Sequence, residues 1–168
     1  MKKGRLIALA IAVVIASVLP FLPVKADTQT VTLKYVIPQV TTFSVSFPTG
    51  YTDIEFQPSG ASFTNEPAAG QSSSTAAMTI TNTGNVAIKI DASLTADLPS
   101  GVTEFRLNDE NSASGGWYWT DVNETNVQTI VSSLAIGASE EFWAWSTGNN
   151  VPAGTYTSTE LQLESSAV

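Results

Sequence analysis

From Asp27 onward, apolar side chains recur at alternate positions in short runs, and nowhere do they keep the 3.6-residue spacing of an amphipathic helix. Thr, Val, Ile, Phe, Tyr and Trp fill these runs while Gly, Pro, Asn and Ser separate them, the pattern of β-strands and turns. Val31, Leu33, Tyr35 and Ile37 alternate with Thr30, Thr32, Lys34 and Val36, which gives a first strand one apolar face before Pro38 ends it. Phe43, Val45 and Phe47 repeat the alternation in a second strand, and Ile54 with Phe56 mark a short third. Residues 57–75, rich in Pro, Gly, Ser and Ala, read as a long surface loop.

Met78 and Ile80 precede Asn82-Thr83-Gly84-Asn85; Val86, Ile88, Ile90, Ala92 and Leu94 follow it, and all seven are even-numbered. Two arrangements satisfy this parity. In a hairpin with an odd-length loop, opposed residues share a face and Gly84 supplies a positive φ. In a corner, the two strands enter opposite sheets and their apolar faces meet across the core. Further strands are predicted near Thr103–Leu107, Gly116–Thr120, Val127–Val131, Glu140–Ser146 and Thr155–Leu163, about ten in all. Helical crossovers, which a parallel sheet needs, are missing, so the expected fold is an all-β, antiparallel two-layer sandwich, with a jelly-roll-like variant as the alternative.

The N-terminal segment has a different character. Lys2, Lys3 and Arg5 form a positive region, Leu6–Leu22 an apolar one, and Val24-Lys25-Ala26 ends in the small residue that signal peptidases accept. Residues 1–26 are therefore expected to be a signal peptide, residues 27–38 an N-terminal strand and residues 39–168 the sandwich. Secretion to the exterior or the cell surface follows. Pro20 and Pro23 interrupt the apolar run before it reaches the roughly 20 residues of a spanning helix, so membrane contact is expected only through an uncleaved leader. The alternative is a type IV pilin leader cut beside Gly4, which would keep Leu6–Leu19 as a filament-core helix; the same prolines would kink it. No apolar tail, sorting motif or lipid-accepting cysteine is visible at the C-terminal side, which leaves release or retention by assembly.

Composition narrows the chemistry. The 168 residues include no cysteine and no histidine, which excludes disulfides, thiol nucleophiles, Cys/His zinc sites and imidazole-based triads. Without residues 1–26, three basic residues (Lys34, Lys89, Arg106) face 15 carboxylates, a net charge of −12. No basic patch exists to release counterions from a phosphate backbone, so no nucleic-acid partner is expected. Glu140 and Glu141 are adjacent and point to opposite strand faces, so they cannot flank one glycosidic bond. No catalytic constellation and no enzymatic activity are expected.

Four candidate sites remain. Val31, Leu33, Tyr35 and Ile37 could serve as the side chains of a strand donated to a second copy, main-chain bonds supplying affinity and alternate side chains register; the bland alternative is a first strand within its own domain. All four tryptophans fall in two strands, Trp117 with Trp119 and Trp143 with Trp145, each pair on one face, so that together they could stack surface polysaccharide. Against this, large aromatics bury more often than they bind, and Phe142 on the opposite face requires burial on at least one side. Asp109, Glu110, Asn111, Asp121, Asn123 and Glu124 bracket the Gly115-Gly116 turn with the oxygen ligands that Ca²⁺ prefers, though without a recognised loop spacing; Asp109, Glu110 and Asp121 are the metal candidates, and a solvated acidic loop is the plainer reading. No other cofactor is expected. Asn123-Glu124-Thr125 is the single N-glycosylation sequon.

The series Thr81-Asn82-Thr83-Gly84-Asn85, Leu98-Pro99-Ser100-Gly101, Leu134-Ala135-Ile136-Gly137 and Val151-Pro152-Ala153-Gly154-Thr155-Tyr156 resembles immunoglobulin-like modules of bacterial and archaeal surface proteins, including the cell-adhesion-related type, over about residues 76–163. An exported leader followed by one such domain also resembles, in layout, the camelysin-type subunits of biofilm fibres and bundling pili. That resemblance implies a self-assembling filament in which the N-terminal strand of one subunit completes the sandwich of the next.

Overall fold

The structure, a computed structural model, describes residues 33–120, 126–157 and 159–168. The chain divides into two compact units, Met1–Val36 and Ile37–Val168. Nine strands form among the described residues, all in the second unit: β1 (Phe43–Ser46), β2 (Phe63–Pro67), β3 (Met78–Asn82), β4 (Ile88–Leu94), β5 (Val102–Asn108), β6 (Trp117–Thr120), β7 (Gln128–Leu134), β8 (Ser139–Gly148) and β9 (Leu161–Ala167). Every pairing is antiparallel, and no helix occurs among the described residues. One sheet runs β1-β3-β8-β5-β6 with β2 also on β8; the other runs β7-β4-β9, and the two pack as a sandwich.

β8, with ten residues, is the spine. The first half of one edge takes β3 and the second half takes β2, end to end, while β5 lies along the opposite edge. Alternation then sends Phe142 and Ala144 of β8, Phe105 and Leu107 of β5, Met78 and Ile80 of β3 and Trp119 of β6 into one core, against Ile88, Ile90, Ala92 and Leu94 of β4 and Ile130 and Leu134 of β7. β3 and β4 lie in different sheets, so their link is a corner and not a hairpin. Asn82 holds that corner: its side chain is buried, Nδ2 donates to the Val86 and Leu134 carbonyls at 2.9 Å each, and Oδ1 accepts from Gly84 N at 2.9 Å. Gly84 is required for close approach and not for a positive φ, because a Cβ there would run into the Val40 carbonyl oxygen.

Several predicted elements differ. Leu33–Ile37 is not a strand; alternation favours an extended backbone, but a strand exists only where a neighbour completes its ladder, and none does so here among the described residues. Ile54 and Phe56 form no ladder either, yet both pack against the core, Phe56 edge-on to Phe105 with centroids 6.1 Å apart. Inside the predicted loop 57–75, β2 forms with an irregular register, Asn65 at φ 51 and Pro67 tolerated at the sheet edge. The last strand begins at Leu161 and not Thr155, since the Tyr156 hydroxyl donates to the Pro152 carbonyl at 2.7 Å and curls the chain into a turn.

Candidate assembly site and the tryptophan pairs

Asn85 fastens the chain where it enters the sandwich. Its Oδ1 accepts from Val40 N at 2.7 Å, its Nδ2 donates to the Pro38 carbonyl at 2.9 Å, and its own backbone N–H donates to the Val40 carbonyl at 3.1 Å. Upstream of this anchor, Leu33, Tyr35 and Ile37 are 74 %, 81 % and 76 % exposed, and Val36 equally so. Four large apolar side chains in the five residues 33–37 thus face solvent outside any strand. Val31 lies outside the described residues.

The sheets end in unequal edges. β9 pairs only with β4 among the described residues, and its core-facing Leu161 and Leu163 stay half-buried whereas Ile88 and Ile90 of β4 are fully buried. β1 shows the same incompleteness at Phe43 and Val45. The Ser165 hydroxyl donates to the Thr41 carbonyl at 2.7 Å, so both edges border one side of the sandwich. On the opposite side, Gln128 Nε2 donates to the Tyr118 carbonyl at 2.7 Å and occupies an edge acceptor of β6, and the β7 ladder shifts register twice. Hydrogen bonds to residues 82–87 also gather exposed Val40, the Ala135–Gly137 turn with exposed Ile136, and Val168 at the end of the domain where the chain enters.

Comparison with protein-family models, curated proteins and solved structures found no match. Chemistry therefore has to be read from the side chains alone.

The tryptophans do not form one platform. Trp117 and Trp119 stand opposite Leu107 and Phe105 and face the core, where Trp119 stacks on Phe105 at 5.6 Å and Trp117 tilts against Phe142 at 5.9 Å. Trp143 and Trp145 stand opposite Asn108 and Arg106 and face outward, where they are nonetheless only 9 % and 6 % exposed. The loop joining β2 to β3 covers them: the Trp143 indole N–H donates to the Ser72 carbonyl at 2.8 Å and Ala76 packs beside the rings. Phe142 and Trp143 are thus buried on opposite faces of one strand, which a loop on the outer face makes possible.

The remaining candidates scatter. Asp109 and Glu110 are exposed in a loop that Asn108 organises by donating to the Ser112 and Ser114 carbonyls at 2.9 and 3.1 Å; at Gly116, φ 68 and the nearby Leu107 carbonyl leave no room for a Cβ. Asp121, Asn123 and Glu124 lie outside the described residues, and among those described no three metal-ligating side chains converge. Glu140 and Glu141 take opposite faces of β8. Charge pairing is sparse: Arg106 grips Glu104 Oε1 through Nε and Nη2 at 3.0 and 2.8 Å and stands over the Tyr118 ring, and Lys89 lies 2.6 Å from Asp91. The Lys89 bond, and secondarily the Thr129 hydroxyl at 2.6 Å, hold the Asp91 carboxyl below its ordinary 3.8 against a smaller opposing effect of burial.

Sequence reasoning missed the Asn85 anchor and the β9 edge. The alternation of Leu161, Leu163 and Ser165 was legible, but nothing local marks a strand as the last in its sheet.

Proposed function

We propose that the chain is an exported structural or adhesive subunit of the cell surface, an immunoglobulin-like sandwich that joins copies of itself into a filament by donating residues 31–37 as a strand. One observation carries this reading: Leu33, Tyr35, Val36 and Ile37 are exposed in a segment that joins no ladder among the described residues. Leaving that much apolar surface in water is unfavourable by about 25 cal/mol per Å², and a sheet edge would take up both the side chains and the unpaired backbone groups. The apolar end formed by Val40 and Ile136, beside the point of entry, is further surface for a subunit contact. Polysaccharide binding through the tryptophans draws no support from two pairs that are covered and turned to opposite faces.

The test is electron microscopy of the exported protein with its mature N-terminus determined. Fibres are expected from the full mature chain, and only monomers after deletion of residues 27–37. A mature chain that stays monomeric when concentrated, or a deletion variant that makes the same fibres, overturns the proposal.

A further inference from the structure

We infer that β9 is the edge that accepts the ribbon of a second copy, with Lys34 set opposite Glu164. This rests on the filament reading and names the accepting surface.

Three observations converge on β9. Its length is seven residues, equal to the ribbon 31–37, and among the described residues its ladder is satisfied on the β4 side only. Its core-facing side chains, Leu161, Leu163 and Ser165, are all half-buried, and the ribbon's apolar positions recur at the same two-residue spacing. The charges provide the third. Glu164 stands directly across the ladder from Asp91, a like-charged pair that disfavours the sheet. Lys89 is engaged with Asp91 and Arg106 with Glu104, while among the described residues the side chain of Glu164 has only Gln162 as a polar partner. Of the three basic residues beyond residue 26, Lys34 alone lacks an acidic partner among the described residues, and alternation puts it on the ribbon's polar face.

Setting Lys34 beside Glu164 places Leu33 and Tyr35 next to Leu163 and Ser165 whichever way the ribbon runs, so apolar side chains meet the exposed flank of the core while the charges meet outside it. The competing edge, β1, offers Ser44 and Ser46 on its outward face and no carboxylate.

The absence of native cysteine makes the experiment clean. Directly opposed strand residues have Cα atoms about 4.5–5.5 Å apart, within disulfide range. Full-length protein carrying both Lys34→Cys and Glu164→Cys should give, on oxidation, a reducible ladder of multimers on non-reducing gels, with neither single variant passing beyond dimer. A ladder from Lys34→Cys with Ser44→Cys and none from the first pair would overturn β9 as acceptor and leave the filament reading intact. A disulfide closed within one chain would overturn both. In parallel, Lys34→Glu should raise the concentration needed for polymerisation about fivefold. Adding Glu164→Lys should restore it, and failure to restore it with fibres still present overturns the pairing alone.

Discussion

Asn82 shows how much one side chain decides. Its carboxamide satisfies three backbone groups around two of the links between the sheets, β3 to β4 and β7 to β8, and it is almost wholly buried. Asn82→Ala should lower unfolding stability by about 3 kcal/mol, since two carbonyls and an N–H lose their partner where water cannot replace it; urea unfolding measures this. Asp91 makes a different statement. A carboxyl whose pKa is depressed on folding stabilises the native state fully above its unfolded value and loses that contribution as pH falls through the folded one. Stability should therefore fall on acidification below about pH 4. The Asp91→Asn variant should show a shallower fall than the parent over that window in thermal melts at stepped pH; an identical acid slope would contradict the assignment.

At the scale of the element, β8 explains the fate of the tryptophans. Where β2 ends and β3 has not begun, the backbone N–H of Ala144 would lack a ladder partner, and the Gln71 side chain supplies it through Oε1 at 2.8 Å. The same loop then lies over Trp143 and Trp145, so a residue pair pointing away from the core acquires a small core of its own. Trp145→Ala should consequently be destabilising by about 3 kcal/mol, comparable with a core truncation and well beyond the effect of an exposed aromatic. A calorimetric midpoint unchanged from the parent would show that the ring is not held as described. Strand alternation made each pair's common face readable; it carried no information on which face of the sheet the other pair occupied, because that depends on the β5–β8 register, which joins residues 35 or more apart in sequence.

For the whole molecule, the decisive asymmetry is between a closed interior and open edges. The sandwich buries its polar side chains without leaving any unpartnered among the described residues, while residues 33–37 are exposed. Deleting residues 27–37 should therefore shift the thermal midpoint of the monomeric domain by no more than about 2 °C while removing polymer, a combination that separates assembly from folding. A large drop in the midpoint would mean that the ribbon belongs to the stability of its own domain.

The all-β class, most strand positions and the inward parity of residues 78–94 were present in the sequence, because alternation and turn residues act over a few positions and leave their mark there. The parity admitted both hairpin and corner, and only tertiary packing chose the corner. Ile54 and Phe56 read as a short strand, and their apolar face does pack against the core, but the missing ladder was not legible, since hydrogen-bond partners come from elsewhere in the chain. Whether Val31, Leu33, Tyr35 and Ile37 pair, which edge stays open, and which carboxylate is left without a cation are likewise properties of neighbours. Local sequence determines which side of a strand is apolar; what lies beside that strand is decided by the fold, since a ladder needs two strands and their meeting depends on every connection between them.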